Sequence, residues 1–233
     1  MDFVQDFIKE MKQISSYNTF QVFQDFLRLS AISLYNVIAN DNQLEAEYTG
    51  ILGKYKDNEK LIFPNLLGIL ALAFENEIKD YLGEIYHNLK INDKSFAQFF
   101  TPFHIAETMA LMTFDKERVN NIINDNGYLS FCEPTCGSGC LALGAIKVLK
   151  ELEINFQEKT LFVLTDLDEQ CFYMSYIQLS LLGVPAKINH GNTLTNEFLK
   201  SWGTLFYYVN AKKFNNAPVK QITLDKGQMS FDF

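Results

Sequence analysis

The residues best suited to chemistry in this chain form one short run, Glu133–Leu141. It reads Glu-Pro-Thr-Cys-Gly-Ser-Gly-Cys-Leu, so an acid and a proline precede two glycines. The apolar segment 128–132 before it is typical of a buried parallel strand, and the residues after it have the character of a helix. Gly137 and Gly139 permit positive φ and close approach of the backbone to a ligand, while a helix start offers unpaired N–H groups. A strand, a tight turn and a helix in this order predict a nucleotide-binding turn.

Three further polar residues fall where they could contact a ligand at such a turn. Asp166 follows the second predicted strand, where a carboxylate can accept both hydroxyls of a ribose. Asn192 follows the third predicted strand, and its amide offers a donor and an acceptor to a purine edge. Thr101 precedes the predicted helix 103–114, and its hydroxyl could bind a carboxylate. The spacing predicts one nucleotide-like ligand across the carboxyl ends of the strands.

The elements that must position these residues divide the chain into two parts. Apolar residues recur at steps of three and four through residues 1–90, which predicts a helical bundle. From about residue 91, strand and helix patterns alternate, which predicts a parallel, doubly wound sheet. After about residue 210 the sequence is polar and lysine-bearing and is expected to be a loop or tail. The predicted strands are 128–132, 160–165, 186–190 and 205–209, and the predicted helices are 103–114, 139–152 and 169–182.

Length, charge and hydrophobicity narrow the class of protein. The chain has 233 residues, of which 48% are hydrophobic, so it can form a substantial core and is not disordered throughout. A formal net charge of −8 disfavours holding DNA alone, because Lys and Arg supply most non-specific affinity for phosphates. No apolar run approaches the roughly 20 residues of a membrane span, and the acidic start is unlike a signal peptide. We therefore expect a soluble, cytoplasmic protein whose contact with nucleic acid is local, weak or shared with a partner.

The four cysteines form neither a disulfide framework nor a metal pattern. Three of them flank the glycine turn, and the paired Cys-x-x-Cys spacing of a zinc site is absent. We expect reduced, small, buried thiols and no metal site. A dinucleotide site is also disfavoured, because the turn lacks the third glycine of G-x-G-x-x-G and carries a proline. The cysteines are Cys132, Cys136, Cys140 and Cys171.

Four motifs of the chain occur together in one known family. They are Phe100-Thr101-Pro102, Glu133-Pro134-Thr135-Cys136-Gly137-Ser138-Gly139, Asp166 with Asp168, and Gly191-Asn192-Thr193-Leu194. In order and spacing they resemble the cofactor motifs of adenine-N6 DNA methyltransferases, most of all the methylation subunits of type I restriction-modification systems. The resemblance covers about residues 95–200. It implies a bacterial or bacteriophage protein with an α/β, Rossmann-like S-adenosylmethionine-dependent methyltransferase fold, in which a helical bundle precedes a shortened parallel sheet.

The resemblance also implies S-adenosylmethionine as cofactor and a role for each matching residue. Thr101 would bind the methionine carboxylate, and Glu133 with the glycine backbone would surround the amine and sulfonium. Asp166 would hold the ribose, Leu167 would pack on the adenine, and Asn192 would bond the adenine amino group. The family usually has aspartate where this chain has Asn192. The predicted cofactor-binding residues are Phe100, Thr101, Pro102, Glu133, Pro134, Cys136, Gly137, Gly139, Asp166, Leu167 and Asn192.

The sequence contains fewer of the residues that would bind the adenine that receives the methyl group. Methylation of adenine N6 needs groups that accept the amino hydrogens and stack the flipped base. The family uses Asn or Asp with two prolines and an aromatic residue after the fourth strand, and no such tetrapeptide occurs in this chain. By position, the candidate catalytic residue is Asn210, in a segment that lacks both prolines. Only four strands are readable, fewer than in a full sheet of the family.

Two functions follow from the resemblance. One is transfer of a methyl group to adenine N6 in DNA; the other is an inactive S-adenosylmethionine-binding or DNA-associated accessory protein. A partner subunit could supply the missing loop and the DNA-reading surface. The predicted domains are a helical domain, 1–90, an S-adenosylmethionine-binding domain, 91–212, and a tail, 213–233. In that tail, Gln228–Phe233 resembles the peptides by which bacterial proteins dock on the replicative sliding clamp.

Overall fold

The computed structural model describes residues 2–90 and 100–215. The first range is helical, and in the second range helices alternate with strands. The helices of the first range are α1 (Phe3–Met11), α2 (Thr19–Ala39), α3 (Asn42–Leu52), α4 (Asp57–Lys60), α5 (Ile62–Asn76) and α6 (Tyr81–Lys90). Those of the second are α7 (Phe103–Thr113), α8 (Lys116–Asn126), α9 (Cys140–Glu151), α10 (Phe156–Lys159), α11 (Glu169–Leu181), α12 (Leu205–Val209) and α13 (Ala211–Asn215). The strands are β1 (Leu129–Glu133), β2 (Thr160–Asp166), β3 (Ala186–Asn192) and β4 (Glu197–Gly203).

Polar side chains begin several of these helices. Asn18 accepts a hydrogen bond from the Gln21 N–H (2.9 Å) at the start of α2, and Asp168 accepts one from the Gln170 N–H (2.7 Å) at the start of α11. Such caps satisfy N–H groups that have no partner within the first turn. Both helices then bury long apolar stretches, so their formation is driven by packing as well as by capping.

The sheet has the strand order β1-β2-β3-β4. β1 pairs with β2 and β2 with β3 in parallel, whereas β4 runs antiparallel to β3. The connection between β3 and β4 is residues 193–196 only, too short for a parallel crossover, which takes about a dozen residues or more. The predicted α/β class with a shortened, mostly parallel sheet is confirmed, with the addition of an antiparallel strand. The first three predicted strands lie within two residues of β1, β2 and β3.

The prediction of a fourth strand at 205–209 is wrong, because these residues form α12. Thr204 begins that helix, since its hydroxyl oxygen accepts from the Tyr207 N–H at 3.3 Å. The same hydroxyl donates to the Val184 carbonyl at 2.6 Å, which fixes the helix start at the beginning of β3. The fourth strand lies just upstream, where Trp202 is buried. An aromatic run suits either a strand or a buried helix face, and here the capping threonine decides for the helix.

The helical range and the sheet share one hydrophobic core. α2 packs on α11, which in turn packs on β2 and β3, and α7 packs closely on α9. Tyr35 of α2 stacks on Trp202 of β4, with ring centroids 4.3 Å apart and planes at 6°. The elements before residue 90 therefore support those that carry the predicted ligand residues.

The segment after residue 210 is described only in part. Where a loop was expected, residues 211–215 form α13, and the Phe214 ring lies 5.2 Å from that of Tyr128. The predicted clamp-binding peptide, Gln228–Phe233, lies outside the described residues and stays a prediction. Within 2–90 and 100–215, none of the helices has the length and apolar character that crossing a bilayer requires.

Candidate functional site

An open cavity of about 320 Å³ lies at the carboxyl edge of the sheet, where the parallel strands end. It is bordered by the loop before α7, the turn after β1 and the end of β2. Five of the eleven predicted cofactor-binding residues line it: Phe100, Thr101, Cys136, Gly137 and Asp166. Five others line it that the sequence did not indicate as ligand-binding: Thr135, Ser138, Cys140, Leu141 and Cys171. Four of these belong to or adjoin the glycine turn, so their nearness was readable, but the side chain of Cys171 arrives from α11.

The glycine turn has the backbone shape that the sequence predicts. Gly137 has φ +55° and Gly139, which begins α9, has φ +93°. A Cβ on Gly137 would lie 3.1 Å from Cδ1 of Phe100, and one on Gly139 would lie 3.3 Å from Cβ of Ser175. Positive φ and close neighbours together require glycine at both positions.

Asp166 at the end of β2 joins the first two parallel strands at this edge. Its Oδ2 accepts a hydrogen bond from the Gly137 N–H at 2.7 Å, and its Oδ1 accepts one from the Asp168 N–H at 2.9 Å. A carboxylate has about four acceptor positions, so two such bonds leave capacity for a ligand. The Asp166 side chain is only half-buried and lines the cavity. It can therefore fix the turn and accept hydroxyl groups of a ligand at once.

The loop before α7 is held in place from two other elements. The Phe100 N–H donates to Nε2 of His87 in α6 at 3.1 Å, and the Phe100 ring lies 5.0 Å from the ring of Tyr86. The Cys140 thiol at the start of α9 donates to the Thr101 carbonyl at 3.1 Å. Thr101 itself is exposed, so its hydroxyl is available at the cavity wall while its backbone is fixed.

The thiols around the turn are in their neutral form at ordinary pH. Burial raises the pKa of Cys136 to about 12, and the neighbouring charge of Asp166 adds to the effect. Burial likewise raises the pKa of Cys140 and of Cys171. These three side chains are buried, whereas Cys132 in β1 is exposed. A protonated thiol is a poor nucleophile and a weak donor, which matches the contact between Cys140 and Thr101.

The remaining predicted residues lie in the loops of the same edge but do not line this cavity. Glu133 accepts from the Thr135 N–H at 3.3 Å. The Pro134 carbonyl accepts from the Thr193 hydroxyl at 2.7 Å, which ties the loop after β1 to the loop after β3. Leu167 is 68% exposed. Gly139 is buried in the turn and Pro102 begins α7.

Asn192 at the end of β3 shapes its own loop. Its Oδ1 accepts from the Leu194 N–H at 2.9 Å and more weakly from the Thr195 N–H at 3.4 Å. The amide oxygen is therefore engaged in a turn of the kind that Asn favours after a strand. Contact with a purine would have to use the remaining capacity of this amide.

A larger cavity of about 480 Å³ adjoins the first and shares Phe100 and Thr101 with it. Its walls carry charges of both signs, and Lys147 pairs with Glu107 at 3.0 Å and with Glu77 at 3.5 Å. Of the predicted residues, Pro102 lines the larger cavity but not the smaller one. The glycine turn and Asp166 border the smaller cavity and not this larger one. Across the described ranges, no three His, Cys, Asp or Glu side chains lie together in a way that could hold a metal ion.

Asn210, the candidate catalytic residue, lies at the opposite, amino edge of the sheet. Its Nδ2 donates to the Phe206 carbonyl at 2.9 Å and to the Gln157 carbonyl at 3.3 Å. Gln157 belongs to α10, which directly precedes β2, whereas the cavity adjoins the residue at which β2 ends. The seven residues of β2 separate the two edges by about 20 Å. The structure thus does not bring Asn210 to the cavity, because the helix α12 replaces the strand that the prediction placed before it.

Comparison with protein families gives one match to this chain. The family model described as N-6 DNA Methylase matches residues 77–228, well over half of the chain. The matched range begins inside the predicted helical domain and contains all of the predicted ligand residues. No curated protein sequence matches the chain.

Three solved structures are similar to it at low sequence identity. A Listeria monocytogenes protein described as a class I S-adenosylmethionine-dependent methyltransferase is 16% identical with a TM-score of 0.42, over 75% of this chain and 55% of that one. A type I restriction-modification methyltransferase subunit from Streptococcus thermophilus is 21% identical with a TM-score of 0.40, over 67% and 32%. A protein of Vibrio vulnificus, described as a modification subunit of a type I restriction enzyme, is 12% identical with a TM-score of 0.45, over 82% and 55%. The chain spans about half or less of the length of these structures.

Proposed function

We propose a function from one premise: this chain belongs to the N-6 DNA methylase family. In the proposal, the cavity at the carboxyl edge binds S-adenosylmethionine, which supplies an activated methyl group when bound. The chain then takes part in transfer of that group to N6 of adenine in DNA. The proposal rests on the hydrogen bond from the Gly137 N–H to the Asp166 carboxylate beside the cavity.

The shape of the turn fits this cofactor. At Gly137 and Gly139 the backbone is bare, and a Cβ at either position would contact Phe100 or Ser175. Gly137 also lines the cavity, so a polar head group at this position would meet main chain and no side chain of that residue. The cavity volume lies at the lower end of the range for small-molecule sites, roughly 300–1,000 Å³.

Each side chain then has a role that its position supports. The exposed Thr101 hydroxyl binds the methionine carboxylate from a loop that Cys140 holds. Glu133 and the turn backbone surround the amine, and Asp166 accepts the ribose hydroxyls with its remaining acceptor positions. Leu167, exposed beside that carboxylate, packs on the adenine, and Asn192 binds its amino group. Phe100, Pro102, Pro134 and Cys136 shape these loops.

The acceptor side favours a second candidate, an accessory protein that binds the cofactor without turnover. The family's Asn/Asp-Pro-Pro-aromatic tetrapeptide is absent from the sequence, and Asn210 lies at the far edge of the sheet. Transfer itself requires little more than alignment of the adenine nitrogen with the methyl group, so a partner subunit could complete the site. A partner would also offset the formal charge of −8, which disfavours binding of DNA by this chain alone.

Calorimetry with S-adenosylmethionine and the Asp166→Ala variant tests the shared premise. Removing a charged acceptor costs about 1.5–3 kcal/mol, so we expect the dissociation constant to rise about tenfold to a hundredfold. Asp115→Ala is the matched control, because the Asp115 carboxylate accepts from the Arg118 N–H (3.0 Å) at the start of α8, away from the cavity. The premise is abandoned if the native chain does not bind, or if both variants bind as it does.

Labelled methyl transfer separates the two candidates. The native chain is incubated with tritiated S-adenosylmethionine and DNA free of adenine methylation, alone and with extract of its host. Label on adenine supports the enzyme. Binding without label under both conditions supports the accessory protein.

A further inference from the structure

The glycine turn is held from its buried side by a polar cluster that reaches into the helical range. Asp80 precedes α6, Ser138 lies between the two glycines, and Gln178 lies in α11. Their side chains are 3%, 0% and 0% exposed, respectively. The Ser138 hydroxyl donates to Oδ2 of Asp80 at 2.5 Å. The Gln178 Nε2 group donates to Oδ1 of Asp80 at 2.9 Å and to the Ser138 carbonyl at 2.8 Å.

These bonds hold both polar ends of the middle residue of the turn. The hydroxyl of Ser138 is fixed by Asp80 and its carbonyl by Gln178, while Gly137 and Gly139 on either side have positive φ. On the cavity side, the Gly137 N–H is fixed by Asp166. Without these bonds, the glycines on either side would let Ser138 adopt several orientations, because glycine populates both signs of φ. The turn is thus clamped between two carboxylates, Asp166 at the smaller cavity and the buried Asp80 in the wall of the larger one.

Gly83 sets the position of the buried carboxylate. Its N–H donates to Oδ1 of Asp80 at 3.0 Å, and a Cβ at this position would lie 2.1 Å from Oδ2. The carboxylate therefore lies folded back over the first turn of α6, in space that a larger residue at position 83 would occupy. The Leu82 N–H donates to Oε1 of Gln178 at 3.2 Å, which completes the hydrogen bonding of that amide.

We propose that Asp80 is a positioning residue for the cofactor turn, acting through Ser138 and supported by Gly83 and Gln178. The inference rests on the proposed function and deepens it, because it makes the start of α6 part of the S-adenosylmethionine site. A cluster that only stabilised the fold would change the melting temperature and leave the affinity of the folded protein alone. A positioning cluster changes the affinity of protein that is still folded.

The test uses two variants of the full chain that disturb the clamp in different ways. Ser138→Ala removes the hydroxyl alone, and Gly83→Ala displaces the Asp80 carboxylate without removing any polar group. The matched control is Ser16→Ala, because the Ser16 hydroxyl also donates to a buried carboxylate, Glu59, in the helical range away from the cavity. Dissociation constants for S-adenosylmethionine are measured by calorimetry well below the melting temperature of each variant.

We expect both clamp variants to raise the dissociation constant about fivefold or more, and Ser16→Ala to leave it within twofold while lowering the melting temperature. Asp80→Asn added to Ser138→Ala should lower the affinity by less than the two single changes added together, since both remove the contact between Asp80 and Ser138. Native affinity in both Ser138→Ala and Gly83→Ala overturns the inference. An equal loss in Ser16→Ala overturns it as well, since the effect would then be general. Absence of binding by the native chain instead overturns the proposed function.

Discussion

At the carboxyl edge of the sheet, the polar groups of the loops border a cavity. At the amino edge, similar residues lie at the ends of helices. The same residue types occur at both edges. Gly137 and Gly127 both have positive φ, but a Cβ at Gly127 would meet nothing within 4 Å, and this residue ends α8 just before β1. Asn192 shapes the loop after β3, while Asn210 bonds to carbonyls of α12 and α10.

The contrast teaches that residue type and local backbone shape do not identify a ligand site. What distinguishes the carboxyl edge is that loops from distant parts of the chain bond to one another around open space. Asp166 holds Gly137, and Thr193 holds Pro134. Each such bond fixes a loop that a ligand would otherwise have to order at a cost in entropy.

The largest expected difference between the edges comes from alanine at the two glycines. Gly137→Ala and Gly127→Ala should each cost about 1–2 kcal/mol of unfolding free energy, because both place a Cβ at positive φ. Only Gly137→Ala also meets the Phe100 ring, so we expect its affinity for S-adenosylmethionine to fall at least tenfold. Urea unfolding gives the first quantity and calorimetry the second. A loss of affinity in Gly127→Ala would show that the amino edge is coupled to the cavity and would end the comparison.

Asn192 should show a smaller effect, because its side chain acts mainly on its own loop. In Asn192→Ala the Leu194 and Thr195 N–H groups lose their acceptor, and we expect affinity to fall about threefold to tenfold. Asn192→Asp keeps an acceptor at this position and should bind as the native chain does. Calorimetry distinguishes the two. If the alanine variant binds with native affinity, Asn192 has no part in the cofactor site.

Asn210→Ala should have the smallest effect. It removes two hydrogen bonds at the end of α12, so we expect a loss of about 1 kcal/mol or less in unfolding free energy. Cofactor affinity should stay within twofold, and labelled methyl transfer, where the native chain shows it, should be unchanged. Loss of transfer with intact affinity would restore Asn210 as a catalytic residue and require a different arrangement of this segment.

The carboxyl edge was largely predictable because its signals are local. Paired glycines after an apolar strand give the turn, and Asp166 and Asn192 follow strands whose apolar character is evident. The amino edge was not predictable in this way. Residues 205–209 have the composition of a strand, and a helix starts there because Thr204 accepts from the Tyr207 N–H while its hydroxyl is held by Val184, twenty residues away. β4 lacks an alternating pattern, so its pairing with β3 follows from a short connection rather than from its own sequence.

Asp80 was missed for a related reason. In the sequence it is one acid among several between helical stretches, and nothing beside it marks a partner in the glycine turn. Its burial depends on Gly83, Ser138 and Gln178, which come from three elements. Local periodicity predicts that helices form; it does not predict which loop their ends will touch.

The clamp on Ser138 has a consequence for how the chain acquires its binding site during synthesis. Asp80 precedes Ser138 by 58 residues, and Gln178 follows it by 40. A nascent chain therefore presents the glycine turn well before the amide that fixes its carbonyl has left the ribosome. Contacts of such sequence separation form late, because loop closure must precede them. Ligand binding would then mark the completion of folding, since chains that end before α11 contain the turn, Asp80 and Asp166 but not the amide of Gln178.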